Sequence, residues 1–219
     1  FESLSAGASC FYEEFTIKER AKLRKICAPK PDLKKIQQTL MRKFFYLFKP
    51  SRAAHGFVVG RSSITNARVH LDAWLAAGSP KDWAILEIDV ENFFPSIPTN
   101  EVMRVIAHIL KKRTTCKKEL IPKVCEVIVS ICQKDGSLPM GAPTSPAISN
   151  LVMSRFDAAM GHYCRKWKLT FTRYADDVSV SGLNANKAYP MIVKQLEKLD
   201  LKIKDKKTRV LRPHRAMKV

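Results

Sequence analysis

The sequence predicts an α/β fold of the α+β type: an antiparallel sheet backed by helices, with a smaller subdomain beside it. Three observations carry that reading. The stretch Leu169-Thr-Phe-Thr-Arg-Tyr174-Ala-Asp176-Asp177-Val-Ser-Val-Ser181 alternates apolar and polar residues on both sides of two adjacent aspartates. That is the period of a half-buried strand, so the stretch reads as a β-hairpin with an acidic tip. Ala84–Ile88 is apolar on nearly both faces, as a central strand is, and it delivers Asp89 at its end. Around these runs, several segments repeat apolar residues at helical spacing.

Composition narrows the class. The 219 residues, 46% of them hydrophobic, suffice for a core of one or two subdomains. Thirty-nine Lys and Arg against 20 Asp and Glu give a formal charge of +19. An ordinary metabolic enzyme has little use for such an excess; a polyanionic partner does, with nucleic acid the first candidate. No apolar run reaches the length of a membrane span and no secretory signal opens the chain, so no membrane partner is expected. Cys10, Cys27, Cys116, Cys125, Cys132 and Cys164 are scattered, with no CxxC pair. They read as reduced thiols of a cytoplasmic protein rather than a zinc site or a disulfide frame. The chain starts at Phe1 and stops in a basic stretch, which reads as a piece of something longer.

Taken in order, Phe15–Ile17 and Leu23–Ile26 are expected as two strands joined by the charged turn Lys18–Lys22. Pro31-Asp32 opens a helix, because Pro suits the first turn and Asp complements the positive end. Its apolar face is Leu33, Ile36, Leu40, Phe44 and Leu47, and Pro50 ends it. The run from His55 to Gly60-Arg61 reads as strand and turn, where a Gly before an Arg lets backbone approach a phosphate. A helix then begins near Asn66-Ala-Arg-Val-His70 and continues through Leu71, Trp74 and Leu75. Thr99 is a candidate cap for a helix whose core face is Val102, Val105, Ile106, Ile109 and Leu110. A further helix is expected over about 119–132, with Leu120, Val124, Val127, Ile128 and Ile131 inward. Leu138–Asn150 is a Gly- and Pro-rich loop leading into a helix, built to hold backbone rigid against a ligand. After the acidic hairpin comes a helix carrying Tyr189, Ile192, Val193, Leu196 and Leu199. Residues 201–219 hold eight Lys or Arg against the single Asp205 and read as a basic hairpin.

The acids are the informative feature. An Asp ending a buried strand is costly unless paired or metal-bound. If Asp89 and the Asp176-Asp177 tip share a sheet, three carboxylates converge. Such a set holds a pair of Mg²⁺ ions about 4 Å apart, which activates an attacking hydroxyl and neutralises a leaving pyrophosphate. The surplus of positive charge supplies a track for a template backbone and cations for a triphosphate. Net charge alone leaves passive RNA binding open. The acids speak against it, because a passive binder has no use for carboxylates inside a basic groove.

These residues carry a resemblance. Tyr174-Ala-Asp-Asp177 resembles the YxDD box of reverse transcriptases. Ile88-Asp89-Val-Glu-Asn-Phe-Phe94-Pro-Ser-Ile97 resembles their first acidic motif, and Leu138-Pro-Met-Gly-Ala-Pro-Thr-Ser-Pro146 the loop-helix motif under the nucleotide. Order and spacing agree over nearly the whole chain. Asn66-Ala-Arg-Val-His70 resembles the NAxxH element of bacterial retron reverse transcriptases.

The resemblance implies a polymerase palm with an antiparallel sheet backed by helices, plus fingers. Residues 1–80 would be fingers with a palm-linking segment. Residues 81–219 would be palm with a helical fingers insertion at about 98–136, and the thumb would lie outside this chain. It implies RNA-directed DNA polymerase activity, with two Mg²⁺ (Mn²⁺ as the alternative ion) and dNTPs added to a primer 3′-OH. Asp89, Asp176 and Asp177 would be the metal ligands, assisted by the Val90 carbonyl, and Lys207 would protonate pyrophosphate. Arg24 would grip the triphosphate, with Lys22 or Lys18 assisting. Phe94 would be the steric gate against a ribose 2′-OH, and Met140 and Gly141 would lie at the nucleotide. Arg61, Asn66 and His70 are the candidates for RNA contact. The implied partners are an RNA template, a DNA product or primer and, for a retron enzyme, a structured non-coding RNA used in phage defence. A thumb or effector supplied from elsewhere is a further implied partner. A related non-retron defence enzyme, a catalytically weak RNA-binding polymerase-like module and a template-independent nucleotidyltransferase stay open at this point. One departure is plain: Met140 stands where the motif usually has Gln, and a thioether donates no hydrogen bond.

Overall fold

The computed structural model describes residues 11–19 and 22–212, without the side chains of Glu19 and Lys22. Arg20 and Ala21 of the expected first turn, the stretch 213–219 and Cys10 lie outside the described residues. The chain divides into two compact units, residues 1–49 with 94–152 and residues 50–93 with 153–219.

In the first unit, β1 (Tyr12–Glu19) and β2 (Lys22–Pro29) form an antiparallel two-stranded ribbon with Phe15 opposite Ile26 and Ile17 opposite Arg24. Both strands outrun the expected ones, so Lys18 is a ladder residue rather than part of the turn. The helix Pro31–Lys43 begins where Pro and Asp predicted it, but ends short of Pro50 in a single 3₁₀ turn, Phe45–Leu47. Its buried face uses Gln37 in place of Ile36, which is 42% exposed. Gln37 Nε2 donates to Tyr12 Oη and to the Ile131 carbonyl, so a polar residue fills a core position that periodicity assigns to its apolar neighbour.

The helix Thr99–Arg113 buries the five residues expected of it. Thr99 does not cap it: Pro98 holds the cap position, and the Thr99 hydroxyl donates to Gln133 Oε1 and the Gly136 carbonyl. The next helix, Ile121–Cys132, is rotated from the expected face, with Ile121, Cys125 and Cys132 buried and Leu120 half exposed. Helix Ser145–Val152 completes this unit.

In the second unit, the four-stranded sheet has the order β4-β5-β3-β6, with β3 Trp83–Asp89, β4 Thr170–Tyr174, β5 Asp177–Leu183 and β6 Arg209–Leu211. All neighbours are antiparallel. The α+β class with an antiparallel sheet is therefore as the sequence predicts. The expected basic hairpin after Leu201 is not a local pair: β6 crosses to the free edge of β3, with Leu86 opposite Val210. The Phe57–Val59 run is not a strand either. Phe57 takes φ 60, and Val59 is 90% exposed. Only Ala54 pairs, in parallel with Arg173 at the edge of β4.

Helix Ser63–Ala76 starts earlier than expected because Ser62 and Thr65 form a reciprocal capping box. Helices Ser154–Lys166 and Tyr189–Glu197 bury Phe156 and Met160, and Ile192 and Leu196.

Candidate active site

The second unit places the three acids together. Asp89 ends β3 and lies directly opposite Asp177, which opens β5; such partners have Cα atoms about 5 Å apart. Tyr174 pairs with Asp177, so Ala175 and Asp176 are the two residues of the hairpin turn. Ala175 adopts φ 55, the positive φ that such turns demand. The Val90 amide donates to the Asp176 carbonyl (3.1 Å), which ties the end of β3 to the turn.

Asp89 is buried and its Oδ2 is ion-paired with Lys207. Backbone pairing delivers that lysine: the Glu91 amide donates to the Lys202 carbonyl and the Lys204 amide to the Asp89 carbonyl. The 3₁₀ turn Asp205–Lys207 then aims the ammonium back at the acid. Partial burial, with the charges of Asp176 and then Asp89 adding, pushes the Asp177 carboxyl up to about 6. Lys207 acts in the opposite direction. Three acids with one ammonium leave a surplus of negative charge that a hard cation would relieve.

Among the described residues, no group of three His, Cys, Asp or Glu side chains is arranged to hold a metal ion as placed. The donor chemistry nonetheless fits one. All the groups are carboxylate oxygens, they come from adjacent strands, and their mutual repulsion appears at Asp177.

Asp89 and Asp177 open onto a cleft of about 530 Å³. Ser63 and Asn66 line it from the helix, and Lys206, Lys207 and Arg209 from the end of the chain. Asn66 Oδ1 and Thr208 Oγ1 are buried with no hydrogen-bond partner among the described residues.

The other candidates for RNA contact are placed differently. The Arg61 Nη1 group donates to the carbonyls of Ser51 (2.8 Å), Arg52 (3.1 Å) and Ala54, so its guanidinium organises its own loop. His70 is 2% exposed and bonds Ser181 and Thr172, each at 2.7 Å. It ties its helix to the sheet, and that leaves it a structural role.

The residues expected at the nucleotide belong to the first unit. The Cys27 amide donates to the Met140 carbonyl (2.7 Å), which fastens the 138–141 loop to β2. Gly141 has φ 116, and a Cβ there would stand 2.9 Å from Ile26 Cγ2. Arg24 lies two residues from Ile26, on the face of β2 that Gly141 covers, and is exposed. Lys22 opens β2, but its side chain lies outside the described residues. Phe94 is half-buried in the short helix Phe93–Ser96, while Phe93 is the buried ring.

Sequence reasoning missed what lies behind the acidic turn. Alternation along Leu169, Phe171 and Arg173 puts the arginine on the same strand face as two apolar residues. Arg173 is fully buried, and its partner is Asp157, 2% exposed, on helix Ser154–Lys166. The signal was available: a charged residue on the inward face of a strand requires a buried counter-charge.

The family described as reverse transcriptase (RNA-dependent DNA polymerase) matches residues 17–219. A Myxococcus xanthus protein, retron Mx162 reverse transcriptase, is 30% identical over 189 residues, 82% of this chain and 37% of its own length. Retron Ec86 reverse transcriptase of Escherichia coli is 29% identical over 214 residues, 95% of this chain and 61% of its own. The chain thus spans less than two thirds of these relatives. In fold it is similar to apo telomerase from Candida tropicalis truncated from its C-terminal domain, with TM-score 0.63 at 14% identity over 92% of this chain and 50% of that one. Telomerase from Candida albicans gives 0.62 at 15% identity, over 91% and 42%.

Proposed function

The chain belongs to the reverse transcriptase family, and from that premise we propose that it performs RNA-templated DNA synthesis as a retron-type enzyme. One observation carries the reading: Asp89 and Asp177 face each other across β3 and β5, with Asp176 in the adjoining turn. Bound Mg²⁺, or Mn²⁺ in its place, would supply Lewis-acid activation of the primer 3′-OH and neutralise the triphosphate. Asp89, Asp176 and Asp177 would hold it, with the Val90 carbonyl assisting.

Lys207 stands within ion-pair reach of Asp89, a position from which an ammonium protonates a departing pyrophosphate oxygen. Asn66, which lines the cleft and whose Oδ1 has no partner among the described residues, serves as a contact for nucleic acid there. In the first unit, exposed Arg24 grips the triphosphate beside Met140 and Gly141, with Lys22 assisting. Phe94 excludes the ribose 2′-OH. The first unit takes the part of fingers and the second that of palm. The retron assignment is supported by the relatives' names and by Asn66-Ala-Arg-Val-His70. It brings a structured non-coding RNA as template and primer source, and a role in phage defence. Among the described residues no helix is long and apolar enough to cross a membrane.

Incubating the full natural protein with RNA template, primer, dNTPs and Mg²⁺ tests the reading, with Asp176→Ala/Asp177→Ala as control. Labelled DNA should appear with the wild type and vanish with the double variant. DNA synthesis that survives the double change removes the catalytic assignment. Phe94→Ala should admit ribonucleotides; an unchanged sugar preference removes its gate role.

A further inference from the structure

The turn that presents Asp176 and Asp177 is gripped from two sides by residues outside the acidic set. On one side lies Arg173. Its Nε donates to Asp157 Oδ1 (2.8 Å) and its Nη2 to Asp157 Oδ2 (2.9 Å), a two-pronged contact at zero exposure for both side chains. The remaining prong, Nη1, donates to the Ala175 carbonyl at 2.9 Å. Ala175 is the residue between Tyr174 and Asp176, and its φ of 55 is one that a side chain with a Cβ rarely adopts.

On the other side lies Gly56. A Cβ there would stand 2.4 Å from the Ala175 nitrogen and 3.0 Å from the Tyr174 carbonyl carbon. Backbone pairing holds it in place: the Arg173 amide donates to the Ala53 carbonyl (2.8 Å) and the His55 amide to the Arg173 carbonyl (2.7 Å). Arg173 is thus common to both grips.

A buried ion pair is seldom a net gain in stability over a well-packed apolar replacement. What an apolar pair could not supply is a donor aimed at one chosen carbonyl of the acidic turn. We propose that Arg173, locked by Asp157, and Gly56 together are positioning residues that fix the backbone of Ala175 and hence the aim of the Asp176 and Asp177 carboxylates. The inference rests on the reading of those acids as cation ligands.

The test uses the full natural protein and Mn²⁺ as probe. Binding is read from the electron paramagnetic resonance of free Mn²⁺, beside thermal unfolding and RNA affinity. Arg173→Lys keeps the buried charge but loses the fork that serves Asp157 and Ala175 together. Gly56→Ala alters no charge and pushes directly on the turn. Both should weaken Mn²⁺ binding by about 10-fold or more, the usual cost of disturbing groups that orient metal ligands, with RNA affinity unchanged. In primer extension, kcat should fall while KM for primer-template holds. A lower melting temperature with wild-type Mn²⁺ affinity in both variants overturns the proposal and leaves the pair a purely structural role. Should Arg173→Lys fail to fold, Gly56→Ala decides alone. The Asp176→Ala/Asp177→Ala control separates the two levels. If the wild type binds Mn²⁺ no better than that control, the acid site itself fails, and the clamp with it.

Discussion

In the four-stranded sheet, several polar side chains beside the acids pair with one another, most of them buried. Arg173 holds Asp157 and Ala175, His70 joins Ser181 to Thr172, and Lys207 meets Asp89. The two-stranded ribbon is the opposite case. Phe15, Ile17 and Leu23 are 48%, 41% and 74% exposed, and Arg24 is exposed too. An isolated two-stranded ribbon is marginal in water. This one is secured within its unit by the Cys27–Met140 bond and by Glu14, whose carboxyl Lys134 and Lys25 hold down at about 2. The difference separates two demands. On the proposed reading of the acids as cation ligands, the carboxylates need a frame that does not yield, and the sheet offers one in its internal polar contacts. On the proposed role of Arg24 at a triphosphate, a cation needs reach, and the ribbon leaves its arginine exposed.

Substitutions can break that contrast, beginning with the most severe. Asp89→Asn should lower DNA synthesis by roughly 1,000-fold or more, since loss of a cation ligand removes several kcal/mol of transition-state stabilisation. Circular dichroism should show the fold retained. Asp157→Ala should cost about 3–5 kcal/mol in denaturant unfolding, because it strands the buried Arg173 charge.

His70 gives the pH dependence of the frame. Burial, with the charge of His55 adding, pushes its pKa from 6.5 down to about 4. Its folded-state pKa is depressed, so its contribution to stability is complete above pH 6.5 and is lost as pH falls towards 4. That loss is at most about 3 kcal/mol, measurable as a falling unfolding midpoint between pH 7 and 4, and His70→Gln should flatten it. Arg24→Ala sharpens the other half of the contrast. It should change stability by less than about 0.5 kcal/mol, as exposed positions do, yet raise KM for dNTP about 10-fold. A stability loss there comparable to that of Asp157→Ala would erase the distinction between frame and reach.

What the sequence disclosed and what it concealed follow from the range of the interactions. The acidic hairpin and the strand delivering Asp89 were legible because a period of two is local. The Val102–Leu110 face was legible because a helical stripe is local too. The pairing of Asp89 with Asp177 is a register between distant segments, which no local period states. β6 was read as one arm of a hairpin because its partner, β3, lies more than a hundred residues earlier. Phe57–Val59 looks like a strand because it is apolar, yet Phe57 takes φ 60 and the run turns just after Gly56, which lies against the acidic tip. Gln37 and Arg173 were concealed by being polar inside, where only their partners, Tyr12, Ile131 and Asp157, explain them. His70 is a candidate for RNA contact as part of the Asn66–His70 element, and Arg61 because it follows Gly60. Their hydrogen bonds turn inward instead.

The tether between Lys207 and Asp89 bears on the order of events in the life of the chain. An ammonium carried in the sequence supplies its own counterion, so the closing strands need not await a dissolved ion before they zip together. Assembly is thereby expected to proceed in a chelating buffer, with circular dichroism unchanged by added divalent salt.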